Sequence, residues 1–269
     1  MPVQVRYFTD PACPMSWGNE PNVRRLEVEF GDALEWRFVM GGLGRDYKGH
    51  EQATMTEWVE EAAAIAMPID PLLWKESAIT STYPSCMAVK AAGDQGAAAQ
   101  ARYLRVVREG LMCFRRKLDA LEPLVEEARR AHLDVERFRV DAGSMATVEA
   151  FGADLELTRD VPEGSPRSDR VPFPTMCFAG AGGEEWVFGS GPYERLAEAA
   201  RAAGAVTGVG SWELGVGDAF EMFPRLAVAE VVALCGLPEP VAQAQLWRLV
   251  TEWKLKPLKS LTGCLFERA

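Results

Sequence analysis

The segment FTDPACPMSWGNEP, residues 8–21, sets one cysteine where a thiol could react. The apolar stretch VQVRYF runs into it and a helix-like pattern follows, so Cys13 falls between a strand end and a helix start. Unpaired backbone N–H groups and the positive end of a helix dipole converge on such a position. Both favour a thiolate, so the Cys13 pKa is expected to fall and its nucleophilicity to rise. Pro14 suits the first helical position, where the N–H it lacks would be unpaired anyway. An arbitrary free cysteine is more often a small buried hydrophobe. The strand–turn–helix setting tips the reading toward a reactive thiol. Three residues on stands Ser16 rather than a second cysteine. Its hydroxyl can donate a hydrogen bond to a Cys13 thiolate but cannot resolve a mixed disulfide. Met15 and Trp17 flank the pair on the first helical turn and are expected to border a substrate groove.

The other cysteines are Cys86, Cys113, Cys177, Cys235 and Cys264, widely spaced and with no C-x-x-C pair. They read as reduced thiols rather than a disulfide framework. The two histidines, His50 and His132, lie far apart with no ligand spacing around them, so no metal site is expected. The run Arg115, Arg116, Lys117 reads as a solvated helix end. The formal charge of −10 disfavours general binding to nucleic acid or anionic membranes, although Lys254, Lys256 and Lys259 cluster near the end. MPVQVRYF has no basic, apolar and cleavage regions in succession, and the apolar run LAVAEVVALCGL is interrupted by Glu230. A cytoplasmic location is the expectation.

Residues 2–9 alternate as a strand with Val3, Val5 and Tyr7 on one face, and Asp10-Pro11 ends it. Residues 15–30 read as one helix and 33–40 as a second strand, so a parallel βαβ unit is expected. A long helical stretch follows to about Gly152. The segment 157–172, with Pro162, Pro166 and Pro172, reads as a loop. PTMCFAG and EEWVFG form a hairpin, followed by a helix over 192–204. AVTGVGSWELGVGDAF reads as a Gly-rich linker. The last fifty residues predict helix, turn, helix and hairpin, the order of a winged-helix-like module.

The residues DPACPMSWGNEP resemble the active-site segment of the DsbA-like thioredoxin-fold family, in which a second cysteine usually follows the C-P-x. The βαβ start, the helical insertion and the late hairpin–helix match that architecture too. STYPSCMAVKAA, YLRVVREGLMC, GSGPYERL and FEMFPRLAVAEVVALCGLP extend the resemblance toward the Spx/ClpXP adaptor subgroup, over nearly the whole chain. The resemblance implies an α/β, thioredoxin-like fold with a helical insertion and a small C-terminal helical module. The expected division is a thioredoxin-like domain over 1–52 and 153–204, an insertion over 53–152, a linker over 205–218 and a module over 219–269. It implies that Pro174 is a cis-proline beside the thiol, with Pro172 as the rival. Phe173 and Thr175 then join Pro14, Met15 and Trp17 as substrate-binding residues. It also places the start of the Cys86 helix opposite Cys13, which makes Cys86 the candidate internal resolving thiol. The reading of Cys86 as a plain core residue stands ahead of that. Cys177 is expected to point into the core.

Two functions follow. The first is a thiol-disulfide oxidoreductase with Cys13 as nucleophile and Ser16 as thiolate stabiliser, working through a monothiol mixed disulfide. It needs no cofactor, and a low-molecular-weight thiol is its candidate co-substrate. The alternative is a non-catalytic adaptor that binds a client protein. DNA binding through the C-terminal module is disfavoured by charge, and a glutathione-binding transferase or isomerase is disfavoured by the retained cysteine.

Overall fold

The computed structural model describes residues 1–207 and 213–269. Strand β1 (Val3–Thr9) buries Val3, Val5 and Tyr7 on one face, as its alternation predicts. It pairs in parallel with β2 (Leu34–Met40), Val3 opposite Leu34 and Thr9 opposite Met40. The connection holds two helices rather than the single expected one: α1 (Pro14–Gly18) and α2 (Glu20–Phe30). Pro21 causes the break. It has no N–H for the Trp17 carbonyl, and its ring would collide with that carbonyl in a continuous helix.

The insertion comprises α3 (Glu51–Ala62), α4 (Leu73–Glu76), α5 (Tyr83–Gly93), α6 (Ala97–Phe114), α7 (Leu121–Arg130), α8 (Val135–Ala142) and α9 (Met145–Arg159). Helix α6 is its axis: Leu104, Val107 and Leu111 recur at helical spacing and are buried. The main apolar core runs unbroken from these helices to the inner face of the sheet. The chain returns as β3 (Thr175–Gly180), antiparallel to β1, and β4 (Gly183–Phe188), giving the order β2-β1-β3-β4. Helix α10 (Tyr193–Ala202) follows. This is a thioredoxin-like α/β fold with a helical insertion.

The C-terminal module has its own core around Phe220, Leu226, Leu234, Leu246 and Phe266. It contains α11 (Val216–Met222), β5 (Arg225–Ala227), α12 (Val228–Cys235), α13 (Glu239–Thr251), β6 (Leu255–Lys259) and β7 (Cys264–Arg268). The strands form a sheet of order β5-β7-β6. The helix–turn–helix–hairpin expectation therefore gives way to three helices and a three-stranded sheet. Strand β5 is three residues long, too short for alternation to show, and it leads directly into α12. The expected linker is also shorter at its far end, because α11 begins at Val216. Its residues 208–212 lie outside the described residues. Among the described residues no helix is long and apolar enough to cross a membrane.

Candidate functional site

Asp10 organises the turn that carries Cys13. Its Oδ1 accepts from the Ala12 N–H at 2.8 Å. Its Oδ2 accepts from the Leu43 N–H at 2.6 Å, the Thr82 hydroxyl at 3.0 Å and the Cys86 thiol at 3.3 Å. One buried carboxylate thus joins the β1–α1 turn, the segment after β2 and the start of α5. Burial raises its pKa, and these donors oppose the rise. In the sequence Asp10 marks the end of a strand, and the D-P-x-C spacing that holds it three residues from the thiol is the signal of its second role.

Cys13 is the N-cap of α1, and its Sγ accepts from the Ser16 N–H at 3.4 Å. The thiol faces the Phe173 carbonyl at a long 3.9 Å. Cys13 is only 5% exposed, and burial pushes its pKa up to about 11 against the opposing effect of the Ser16 hydroxyl and N–H nearby. The carboxylates of Asp10 and Glu61 push the same way. The expected depression is therefore reversed. A helix of five residues carries little dipole, and desolvation of a thiolate outweighs the bonds from Ser16. Ser16 is fully buried, and among the described residues its Oγ meets no partner in good hydrogen-bond geometry. Its proximity still counts among the effects that favour the thiolate.

Trp17 corrects another expectation. It is fully buried, its indole N–H donates to the Pro68 carbonyl at 2.7 Å, and the Arg105 guanidinium lies 4.7 Å from its ring centre. It belongs to the core and cannot line a groove; α1 turns this face inward onto α6. Pro14 is buried as well, whereas Met15 is partly exposed.

The Phe173–Pro174 peptide is cis, and Pro172 is not part of a cis bond. Phe173 is half-buried beneath the Arg170 guanidinium, 5.4 Å from its ring centre. The ring lies over Gly41, where an added Cβ would overlap its Cζ. Thr175 is buried and its hydroxyl donates to the Pro172 carbonyl at 2.8 Å. Cys86 is buried, and burial followed by the Asp10 charge raises its pKa far above the usual thiol range. Cys13 and Cys86 are both free thiols. Cys177 does reach an apolar cluster, but its Sγ also bonds Arg6 at 3.1 Å and Glu184 at 3.0 Å. Tyr47, which the sequence reading passed over, is held neutral by burial and by Asp10, Cys13 and Cys86 nearby. Nothing in its local sequence, RDYKGH, marks it.

Beyond the thiol, a cleft of about 520 Å³ runs between Met15 and Gly18 of α1, Ile65, Ser190 and Val228 of α12. A second cleft of about 270 Å³ shares Ile65, Val228 and Glu239 and continues to Trp247 of α13. The lysines near the end are largely neutralised there: Lys254 pairs with Glu252 at 2.7 Å and Lys256 with Glu267 at 2.5 Å. Among the described residues no group of three or more His, Cys, Asp or Glu could hold a metal ion.

A cysteine capping the helix after the first strand, facing a cis-proline before the third, defines a thioredoxin-fold protein of the DsbA-like class. The family described as Thioredoxin, Thioredoxin_5, matches residues 7–163, and this chain belongs to it. Among curated relatives, a "ClpXP adapter protein SpxH" of Halalkalibacterium halodurans is 34% identical over 169 residues, 60% of this chain and 55% of the relative. The chain thus spans just over half the length of that relative. The protein of the same name from Shouchella clausii is 25% identical over 263 residues, 95% of this chain and 85% of the relative. Among solved structures, the cytosolic disulfide reductase DsbM from Pseudomonas aeruginosa superimposes with a TM-score of 0.56 at 20% identity. It covers 68% of this chain and 88% of that one, a likeness of fold.

Proposed function

We propose that this chain is a protein-binding adaptor built on a thioredoxin fold, and that Cys13 does not turn over. The observation that carries this reading is the Cys13 thiol, buried, with its pKa near 11 and with serine at the resolving position. At neutral pH only about one thiol in ten thousand would be ionised at that pKa. The relatives named as ClpXP adapters support the reading, and the client would be a protein delivered to a protease of that kind. The clefts bordered by Met15, Ile65, Val228 and Trp247 are the surface offered to it. In this reading the C-terminal module serves partner binding. Its acid-paired lysines do not suit DNA. A location in the cytoplasm follows from the same reading.

Affinity capture with the tagged chain and with Cys13→Ala tests it. The same partner is expected with both. Loss of the partner in Cys13→Ala, or disulfide exchange with glutathione at rates well above an ordinary thiol, overturns it.

One observation favours a second reading, monothiol oxidoreductase: the Ser16 Oγ is buried beside Cys13 and, among the described residues, meets no partner in good hydrogen-bond geometry. A thiolate or a mixed disulfide with a low-molecular-weight thiol would give that hydroxyl its use. In that reading Phe173, Pro174 and Thr175 position the substrate, and the mixed disulfide is released by an external thiol or, in the variant form, by Cys86 as internal resolver. Intact-mass measurement after treatment with glutathione disulfide separates the outcomes. An adduct on Cys13 supports monothiol chemistry, a Cys13–Cys86 bond supports internal resolution, and an unmodified chain supports the adaptor.

A further inference from the structure

Arg105 and Glu230 are charged groups inside the protein, 7% and 0% exposed. Arg105 lies midway along α6, yet its guanidinium touches segments from both ends of the chain. Nη1 and Nη2 donate to the two oxygens of Glu230 at 2.5 and 3.0 Å. Nη1 also reaches Glu20 at the start of α2, at 2.9 Å, and Nε reaches Glu109 at 2.8 Å. The guanidinium carbon lies over the Trp17 ring, 4.7 Å from its centre. Glu230 in turn accepts from the Ala227 N–H at 2.7 Å and so caps α12. From Glu20 the charges continue through Arg108 to the Thr9 hydroxyl, next to Asp10.

A buried ion pair gains little over an apolar pair of equal volume, because desolvation cancels most of its attraction. What it does enforce is one arrangement, since separating the partners strands a charge. Trp17 is four residues from Cys13 on a helix only five residues long. Whatever holds the indole holds the turn that buries the thiol. The indole has a polar anchor on one side, Pro68, and a cationic one on the other, and Glu230 of the C-terminal module fixes that cation.

We propose that Arg105 is a positioning residue that makes the burial of Cys13 depend on the docked C-terminal module. With α12 in place, Glu230 orients the guanidinium, the guanidinium clamps Trp17, and α1 keeps the thiol closed. A movement of α12 away from α6 removes Glu230, leaves Arg105 to Glu20 and Glu109, and loosens α1. Since α12 also borders the cleft against α1, anything that wedges between them acts on this clamp. The inference does not depend on whether the occupant is a client protein.

The test uses the full chain with Glu230→Gln, which keeps the shape and removes the charge. Iodoacetamide labelling at pH 8, mapped by peptide mass, follows Cys13 and Cys86 separately. Cys13 labelling is expected to rise at least about fivefold while Cys86, buried in α5, stays at its wild-type rate. Unchanged Cys13 labelling, or a parallel rise in both cysteines, overturns the proposal, because the second is general unfolding. If Glu230→Gln does not fold, Arg105→Lys carries the same readout, since an ammonium can neither bridge both oxygens nor stack on the indole. Labelling of Cys13 in Arg105→Lys at the wild-type rate equally overturns it.

Discussion

At Cys13 two local effects oppose each other. The Ser16 N–H, and Ser16 as a whole, favour the thiolate; burial and the carboxylates of Asp10 and Glu61 favour the thiol and win. The pH dependence of alkylation reads the result directly. Its midpoint is expected near 11 rather than near 9, and a midpoint below 8 would show that the turn opens to a thiolate-stabilising state. The sign of the linkage follows. A folded pKa above the unfolded one means that stability is intact below about pH 9 and declines as pH rises toward 11. Asp10 gives a second prediction at this scale. Asp10→Ala leaves the buried Ala12 N–H and the partly buried Leu43 N–H without their acceptor, at a cost of roughly 1–4 kcal/mol together. Urea unfolding measures that loss. The largest effect, burial, is made by segments distant along the chain, and Glu61 comes from one of them, so a local reading of C-P-M-S gives the wrong direction for the pKa.

The element scale explains why Trp17 and Phe173 fare differently. Both are aromatic residues near the thiol in the expected site, and both were expected to face a substrate. Pro21 stops α1 after one turn and lets the chain redirect, so Trp17 packs inward onto α6 while Met15 remains at the cleft. Trp17→Ala is expected to cost about 3–5 kcal/mol and to lower Tm, as deletion of a fully buried aromatic does. Calorimetry checks this; a loss under 1 kcal/mol would return Trp17 to the surface. Phe173 is half-buried, because Gly41 leaves room for its ring to settle against the backbone while part of it stays open. Gly41→Ala pushes against the far end of that ring, which can swing outward. The expected result is a modest fall in Tm with a clear change in partner capture. Capture equal to wild type would remove Phe173 from the binding surface.

For the whole molecule, the decisive feature is the charge network between α2, α6 and the C-terminal module. Burial would raise the Glu20 pKa, but Arg108, Arg105 and Arg24 outweigh it and hold the carboxyl at about 2. Its contribution to stability is present above the unfolded value of about 4.5 and is lost as pH falls toward 2. The stability difference between wild type and Glu20→Gln should therefore be largest near neutral pH, on the order of 3 kcal/mol, and shrink across that acid window. A difference independent of pH would mean that the carboxylate's charge is not what the network uses. The same network ties the C-terminal module to the thioredoxin-like part more tightly than a Gly-rich linker suggests: Arg225 of β5 also bonds Glu109, and at 2.6 Å Glu267.

Much of this protein was legible in order along the chain. The alternation of Val3, Val5 and Tyr7, the helical spacing on α6, the turn at residues 179–183 and the C-P motif are short-range patterns. Backbone geometry and burial of one face are enough to dictate them. The sequence by itself therefore determined the βαβ start, the helical insertion, the hairpins and the cysteine's seat at the head of a helix. Only tertiary structure decided the charge state of Cys13, the inward turn of Trp17, the hub at Asp10 and the clamp joining Arg105 to Glu230. Each of these depends on groups tens to more than a hundred residues apart meeting in a space from which water is excluded. There desolvation and a few close partners set the energy, and no local pattern records them.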